Sequence, residues 1–136
     1  MSIEEVRINI DGASKGNPGR AGIGAVICGP DGKEIKKFNQ YIGITTNNVA
    51  EYTALIYALQ EALMMRAQRV VVFSDSELLV KQISGEYMVK DEDLKRLRKQ
   101  FEHLCGGFQG VRVEHVGREN NKIADLLANQ AVEDSV

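Results

Sequence analysis

The sequence contains no tryptophan and only two cysteines, Cys28 and Cys105, which form no Cys-x-x-Cys pair. No apolar run approaches the roughly 18 residues that a membrane span requires. The opening segment, MSIEEVRINI, has neither the basic nor the apolar region of a signal peptide. We therefore expect a reduced, cytoplasmic protein with no membrane association. The spacing of the cysteines alone leaves a disulfide between them open.

Internal repeats, low-complexity tracts and linker-like segments are also absent. The 136 residues match the usual size of one domain, and the 43% apolar and 26% charged residues are typical of globular proteins. We expect a single domain over residues 1–136. The formal net charge is −2, so local basic side chains or bound cations would have to hold any polyanionic partner.

Hydrophobic periodicity predicts five strands. Alternation at Val6, Ile8 and Ile10 predicts a first strand that ends at Asp11 and Gly12. The segments AGIGAVICG and KEIKKFNQYIG, joined by the turn GPDGK, predict two more strands in an antiparallel meander. The apolar run RVVVF passes directly into a helical pattern, which indicates a parallel βαβ unit, and VRVEHV predicts the fifth strand.

Apolar residues at helical spacing predict the helices. A long helix starts near Asn47, with asparagines as candidate caps, and a second lies within SDSELLVKQI. A third is capped at Asp91 and ends at Gly106 and Gly107, and NNKIADLLANQAVE closes the chain. The predicted fold is α/β, with a five-stranded mixed sheet of three antiparallel and then two parallel strands, flanked by helices.

Four acids occupy conspicuous positions on these elements. Asp11 ends the first strand, where burial opposes its charge, and Glu51 lies on or beside the apolar stripe of the long helix. Asp75 directly follows the fourth strand, at the edge where ligands bind in open α/β sheets. Asp125 lies one turn into the last helix.

Three of these acids also have a purely structural explanation. The helix dipole favours an exposed Glu51, the pattern Ser74-x-x-Glu77 matches a capping box beside Asp75, and Asp125 suits a helix surface. If the two parallel strands flank the first, however, all four acids converge. Like charges about 4 Å apart repel by roughly 4 kcal/mol per pair. Such a cluster needs protons or divalent cations, and ligands that are all oxygen favour hard ions such as Mg²⁺.

Four blocks of sequence together resemble type 1 ribonuclease H, a family that cuts the RNA strand of RNA–DNA hybrids. The blocks are DGASKGNPGRAGIGAV, TTNNVAEYTAL, SDSELLV and VGRENNKIADLLANQA, which span residues 11–131. The resemblance implies a ribonuclease H-like fold and endonucleolytic hydrolysis that leaves 3′-hydroxyl and 5′-phosphate ends. It also implies that Asp11, Glu51, Asp75 and Asp125 are catalytic acids that bind two Mg²⁺ ions, with Mn²⁺ as a substitute.

The resemblance further implies contacts with the hybrid. Positions matching residues that touch its minor groove, where 2′-hydroxyls distinguish RNA from DNA, are Gly12, Ser14, Asn17, Asn47 and Asn48. Glycine at position 12 also permits close approach of a nucleic-acid backbone. Some members carry a histidine in the loop before the last acid. This chain has Arg118 there, as a phosphate ligand or a solvated side chain, and His115 is expected to pack on the fifth strand.

The basic, tryptophan-bearing protrusion of many members is absent, and only SGEYMVKDED joins the middle helices. The chain thus resembles the compact prokaryotic subgroup, and we expect a monomer with no obligatory protein partner. Its hybrid affinity should depend strongly on salt. Lys90 and the basic residues from Lys95 to Lys99 form the best remaining basic patch, or else a solvated helix face.

Three other functions fit the sequence less well. The four acids argue against a module of this fold that binds nucleic acid without cutting it. The asparagine pair near Glu51 and the block DGASKGNPG favour hybrid cleavage over the transposases, integrases and resolvases that share the fold. A dinucleotide-binding oxidoreductase is disfavoured because its glycines would open a helix, whereas these lead into a strand.

Overall fold

The computed structural model describes residues 2–135. Within that range the chain forms strands and helices that agree with the predicted order. They are β1 (Ile3–Gly16), β2 (Gly19–Cys28), β3 (Glu34–Thr45), α1 (Asn47–Met64), β4 (Ala67–Ser74), α2 (Glu77–Ser84), α3 (Glu92–Cys105), β5 (Gly110–His115), a short 3-10 helix (Arg118–Asn120) and α4 (Lys122–Glu133).

The strands form one mixed sheet in the order β3-β2-β1-β4-β5. The pairs β1–β2 and β2–β3 are antiparallel, whereas β1–β4 and β4–β5 are parallel. The predicted fold class is therefore confirmed. The condition that both parallel strands flank β1 is not met, because β5 pairs with β4 at the edge of the sheet and only β4 lies beside β1.

β1 runs further than its hydrophobic alternation predicted. Its parallel pairing with β4 stops at Ile10 and Ser74, but its antiparallel pairing with β2 continues through Asp11 to Gly16. The prediction that the strand ends at Asp11 and Gly12 is wrong, because hydrogen bonds to β2 extend it over residues without an apolar pattern. Asp11 is thus the first residue of β1 beyond the end of β4.

The hydrophobic core lies between α1 and the sheet. Val6, Ile8 and Ile10 of β1 are fully buried, as are Leu55 and Leu59 of α1, and all belong to one cluster. Burial of each such side chain contributes about 1.5–3 kcal/mol of transfer free energy. This contact fixes α1 across β1.

α4 packs closely against the sheet through small residues. A Cβ atom on Gly24 would lie 2.5 Å from the carbonyl oxygen of Ala124, and one on Gly22 would lie 2.6 Å from that of Ala128. Both alanines are fully buried. Because Gly24 pairs with Asp11, this packing brings the first turn of α4 close to Asp11.

Two helix caps differ from the sequence prediction, and one agrees. Thr46, not an asparagine, caps α1 by accepting a hydrogen bond from the Val49 amide. Ser76 caps α2 in the same way, so the capping box at Ser74 is wrong: β4 extends through Ser74, and α2 starts later. The predicted cap of α3 at Asp91 is confirmed.

Cys28 on β2 and Cys105 at the end of α3 are both free thiols, which answers the question that their spacing left open. Among the helices within residues 2–135, none combines the length and apolar character needed to cross a membrane.

The packing of α4 predicts that Gly24→Ala destabilises the protein by about 1–3 kcal/mol, because the helix must move away from β2. Gly110→Ala is the matched control, since a Cβ there would meet no atom within 4 Å. Urea denaturation of both variants measures the free energies of unfolding. Equal stability of the two variants would contradict the close contact.

Candidate active site

Three acids from different elements meet beyond the end of β4. Asp11 comes from β1, Glu51 from the start of α1, and Asp75 from the link between β4 and α2. One carboxylate oxygen from each lies within 4.8 Å of those of the other two. Asp11 and Glu51 are only 5% and 4% exposed, respectively, and Asp75 is half-buried. The convergence expected from the sequence is therefore present for these three acids.

Asp125 lies outside this group of three but close to it. It is exposed on α4, and it is close enough to Asp11 to raise the pKa of that carboxyl group. Asp11, Asp75 and Asp125 line one cleft of about 520 Å³, with Arg118 on its wall. Glu51 is almost fully buried and does not line this cleft. The structure thus brings all four predicted acids and Arg118 to one place.

A hydrogen bond from β1 holds Glu51 in position. The Gly12 amide donates to Oε1 of Glu51 at 2.5 Å. A Cβ atom on residue 12 would lie 2.4 Å from the carbonyl carbon of Ala50, so only glycine allows the start of α1 to lie this close. The contact with α1 is therefore a sufficient reason for glycine here, although Gly12 also lines the cleft.

Burial raises the pKa of Asp11 to about 9, and the negative charges of Glu51 and Asp75 add to this effect. Burial likewise raises the pKa of Glu51 to about 8, although the Gly12 N–H partly opposes the shift. Within residues 2–135, none of the four acids forms an ion pair with a basic side chain. Without a cation, the site therefore retains protons at neutral pH.

The donor set fits a hard divalent cation. It consists of carboxylate oxygens only, which suits Mg²⁺ and Mn²⁺ rather than the softer metals that bind through sulfur and imidazole. The uncompensated repulsion gives a physical reason for cation binding, because a bound cation would favour the charged form of each acid. Asp11, Glu51 and Asp75 would hold such ions together, with Asp125 beside them.

The residues predicted to touch substrate continue along β1 and into α1. Asn17, Asn47 and Asn48 are exposed, and Ser14 is half-buried. The Asn47 amide donates to Oδ1 of Asn17 at 3.0 Å, which fastens the turn between β1 and β2 to the start of α1. The side-chain oxygen of Asn17 thus has a structural partner, and the roles of these residues toward substrate stay predictions.

His115 is not packed, so that prediction was wrong. It is exposed. β5 is an edge strand, and His115 is its last residue, after the half-buried Val111 and Val113. The sequence argument also missed Glu119, Lys122 and Asn129, which line the cleft. Their nearness to Arg118 and Asp125 in the chain was the available signal.

Comparison with known proteins identifies the family. A family model described as reverse transcriptase-like matches residues 9–131. A bifunctional protein of Mycobacterium tuberculosis is 43% identical over 95% of this chain and 36% of its own. A ribonuclease H of Chromobacterium violaceum is 38% identical over 96% of each chain. The chain belongs to the ribonuclease H family.

Solved ribonuclease H structures agree in fold. That of RNase H1 from Halobacterium salinarum superimposes with a TM-score of 0.94 at 40% identity, covering 96% of this chain and 99% of that one. LC11-RNase H1 in complex with an RNA/DNA hybrid gives a TM-score of 0.90 at 40% identity, covering 96% and 98% of the two chains. The chain spans about a third of the length of the mycobacterial relatives.

The raised pKa values predict that the metal-free protein loses stability as pH rises. Between the ordinary aspartate pKa of 3.8 and about 9, folded Asp11 binds a proton that the unfolded chain has released. The free energy of unfolding must therefore fall with pH across this window. Asp11→Asn removes the contribution of this residue, so in chelator the variant should melt higher than wild type by about 3 °C or more near pH 8.

Thermal melts of both proteins at about pH 5 and about pH 8 measure this difference, which should shrink at the lower pH. Asp134→Asn, an exposed acid at the far end of α4, is the control and should follow wild type. Parallel curves for wild type and Asp11→Asn would show that Asp11 is not protonated in the folded state.

Proposed function

We propose that this protein cuts the RNA strand of RNA–DNA hybrids endonucleolytically by a two-metal mechanism. The observation that carries the proposal is the meeting of Asp11, Glu51 and Asp75 within 4.8 Å, with Asp125 reaching Asp11, in a chain of the ribonuclease H family. The structural relative that contains an RNA/DNA hybrid supports this choice of substrate.

The acids would hold two Mg²⁺ ions, with Mn²⁺ as a substitute. When bound, such a pair of ions activates the attacking water and stabilises the leaving oxygen of an in-line phosphodiester displacement. That chemistry would leave 3′-hydroxyl and 5′-phosphate ends. Asp11 is central to the cluster, because the negative charges of Glu51, Asp75 and Asp125 all raise its pKa.

Basic side chains at the cleft would position the scissile phosphate. Arg118 and Lys122 line the same cleft as Asp11 and Asp75, so they place positive charge where the phosphate would enter. Charge-assisted hydrogen bonds from an arginine fork suit phosphate oxygens. We therefore propose that Arg118 binds a substrate phosphate rather than serving only as a solvated side chain.

The hybrid would lie along the surface that continues from the cleft over β1 and the start of α1. The proposed minor-groove contacts are Gly12, Ser14, Asn17, Asn47 and Asn48. Asn47 and Asn48 are exposed in the first turn of α1. Amide and hydroxyl groups there can donate to or accept from the 2′-hydroxyls that distinguish RNA from DNA.

The basic face of α3 would contribute little to binding. Lys95, Arg96 and Arg98 form ion pairs with acids of the same helix, namely Glu92, Asp93 and Glu102. Their charges are therefore largely balanced, which favours a solvated helix face over a grip on the hybrid.

A monomeric, cytoplasmic protein without an obligatory partner stays a prediction, as does a single domain over residues 1–136.

The first test is cleavage of a labelled RNA–DNA hybrid, with duplex DNA and duplex RNA as comparison substrates. Mg²⁺ or Mn²⁺ should support cutting of the RNA strand, and chelator should abolish it. Asp75→Asn should lower kcat by about 10²-fold or more because it removes a proposed ligand. Asp134→Asn is the matched acid outside the cleft and should retain activity.

End-labelling of the products then checks for 3′-hydroxyl and 5′-phosphate termini. Binding of the hybrid without cutting under every metal would instead favour a non-catalytic module. A protein that neither binds nor cuts the hybrid would refute the proposed substrate.

Arg118→Ala should reduce kcat or raise KM by about tenfold while leaving the melting temperature unchanged, because it removes one charge-assisted phosphate contact. Arg112→Ala is the matched control: the side chain of this arginine is 66% exposed on β5 and forms an ion pair with Glu114. Steady-state kinetics of both variants on the hybrid decide the point. Unchanged kinetics for Arg118→Ala would remove this residue from the site.

A further inference from the structure

Asn121 is a buried amide beside the site, and the catalytic scheme above assigns it no role. It is only 2% exposed and immediately precedes α4. Asparagine at such a position commonly caps the helix, yet its side chain makes no cap hydrogen bond. Instead, Nδ2 donates to the carbonyl oxygen of Ile10 on β1 at 2.8 Å.

The other end of the same side chain is also engaged. Oδ1 of Asn121 accepts a hydrogen bond from Nδ2 of Asn9 at 3.0 Å, and Asn9 also donates to the carbonyl of Asn120 at 3.2 Å. These bonds join two consecutive residues of β1 to the two residues that lead into α4. Because hydrogen bonds are directional, they fix the orientation of this junction as well as its distance.

The junction lies between the proposed catalytic groups. Ile10 directly precedes Asp11, and the Asp125 amide donates to the Asn121 carbonyl at 3.1 Å, one helical turn away. On the other side, the Asn121 amide donates to the carbonyl of Arg118 at 3.0 Å. The side chain of Asn121 therefore bonds the strand of Asp11, while its backbone N–H and C=O belong to the turns that carry Arg118 and Asp125.

The other contacts between α4 and the sheet do not fix the position of Asp125 and Arg118 relative to Asp11. The close packing of Gly22 and Gly24 against Ala124 and Ala128 sets the separation between helix and sheet. Small apolar surfaces, however, resist sliding along the strand only weakly. Asn39 of β3 donates to the Leu127 carbonyl at 2.9 Å, and Arg20 of β2 donates to the Val132 carbonyl at 3.4 Å. Both bonds reach α4 beyond Asp125, farther from its first turn than the bonds of Asn121.

We propose that Asn121 is a positioning residue that sets Asp125 and Arg118 against Asp11. This inference rests on the proposed function, since its value to the protein is the geometry of the cation site and the adjacent phosphate contact. A displacement of about 1 Å in such a site can lower turnover by roughly 10²-fold. Hybrid binding should be much less sensitive, because the exposed asparagines of α1 do not depend on α4.

The test compares Asn121→Leu, an apolar side chain of similar size, with Asn39→Leu, which removes the other side-chain amide bond from the sheet to α4. Asn121→Leu should lower kcat by about tenfold or more with KM changed less than about twofold. Asn39→Leu should keep wild-type kinetics. Equal losses in the two variants would overturn the proposal, because the effect would then be a general weakening of α4.

A second readout does not require turnover. In the wild-type protein, addition of diamagnetic Mg²⁺ should change the NMR chemical shifts of the backbone amides of both Gly12 and Asp125, because these shifts report the immediate surroundings of each amide. In Asn121→Leu, the change at Gly12 should remain and that at Asp125 should become smaller. Wild-type shift changes at both amides, together with wild-type kcat, would overturn the positioning role while leaving the proposed function intact.

Asn9→Ala keeps the test decisive if Asn121→Leu fails to fold. It removes the support of Oδ1 but leaves the bond to Ile10, so a smaller loss of kcat and of the Mg²⁺-induced shift change at Asp125 supports the proposal, and no difference from wild type overturns it. If the wild-type protein binds Mg²⁺ without cutting the hybrid, the comparison of shift changes still decides the role of Asn121. If wild type neither cuts the hybrid nor shows shift changes with Mg²⁺, the proposed function fails, and the role of Asn121 fails with it.

Discussion

The burial of Asp11 and Glu51 beside Asp75 is the constraint to which the site is adapted. Burial is the largest cause of the raised pKa of both carboxyl groups, and the negative charge of Asp75 raises both pKa values further. Hydrogen bonds from the Gly12 amide, the Ser76 hydroxyl and the Asp11 carboxyl partly oppose the shift at Glu51. Among residues 2–135, no basic side chain forms an ion pair with any of the four acids. A cluster left this unbalanced is a poor structural element, but it is suited to binding divalent cations.

Small residues make the convergence of the acids possible. α1 and α4 pack against β1 and β2 from different directions, and each approaches a strand at glycine: Gly12 for α1, and Gly22 and Gly24 for α4. A larger side chain at these positions would push the helix outward and carry its acid away from Asp11. The glycine density near the start of the chain is thus a packing requirement of both helices, whatever further role it has toward nucleic acid.

Local pattern was sufficient to predict the type and order of the elements, the cap at Asp91 and the positions of the four acids. It failed where a distant partner decides the structure. Pairing with β2 extends β1 past Asp11. The backbone N–H of Asn47 bonds Asn17, and Thr46 rather than an asparagine caps α1. The edge position of β5 leaves His115 exposed. Asn121 was missed for the same reason, because its partners are Asn9 and Ile10, far away in sequence.

The hydrogen bonds of the Asn121 side chain hold Asp125 near Asp11, whereas the repulsion among the acids pushes them apart. Without a cation, the negative charge of Asp125 beside Asp11 opposes ionisation of the buried Asp11 carboxyl, so Asp125 depends on the packing and hydrogen bonds of α4 for its position. The Asn121 side chain is buried and its hydrogen bonds are already formed in the folded protein, so in our proposal these bonds keep Asp125 in position before a cation binds. A cation selective for the folded state would then add its own stabilisation to a geometry that already exists. The backbone bonds of Asn121 also join the loop of Arg118 to α4, so the proposed phosphate contact and the proposed cation site share one support.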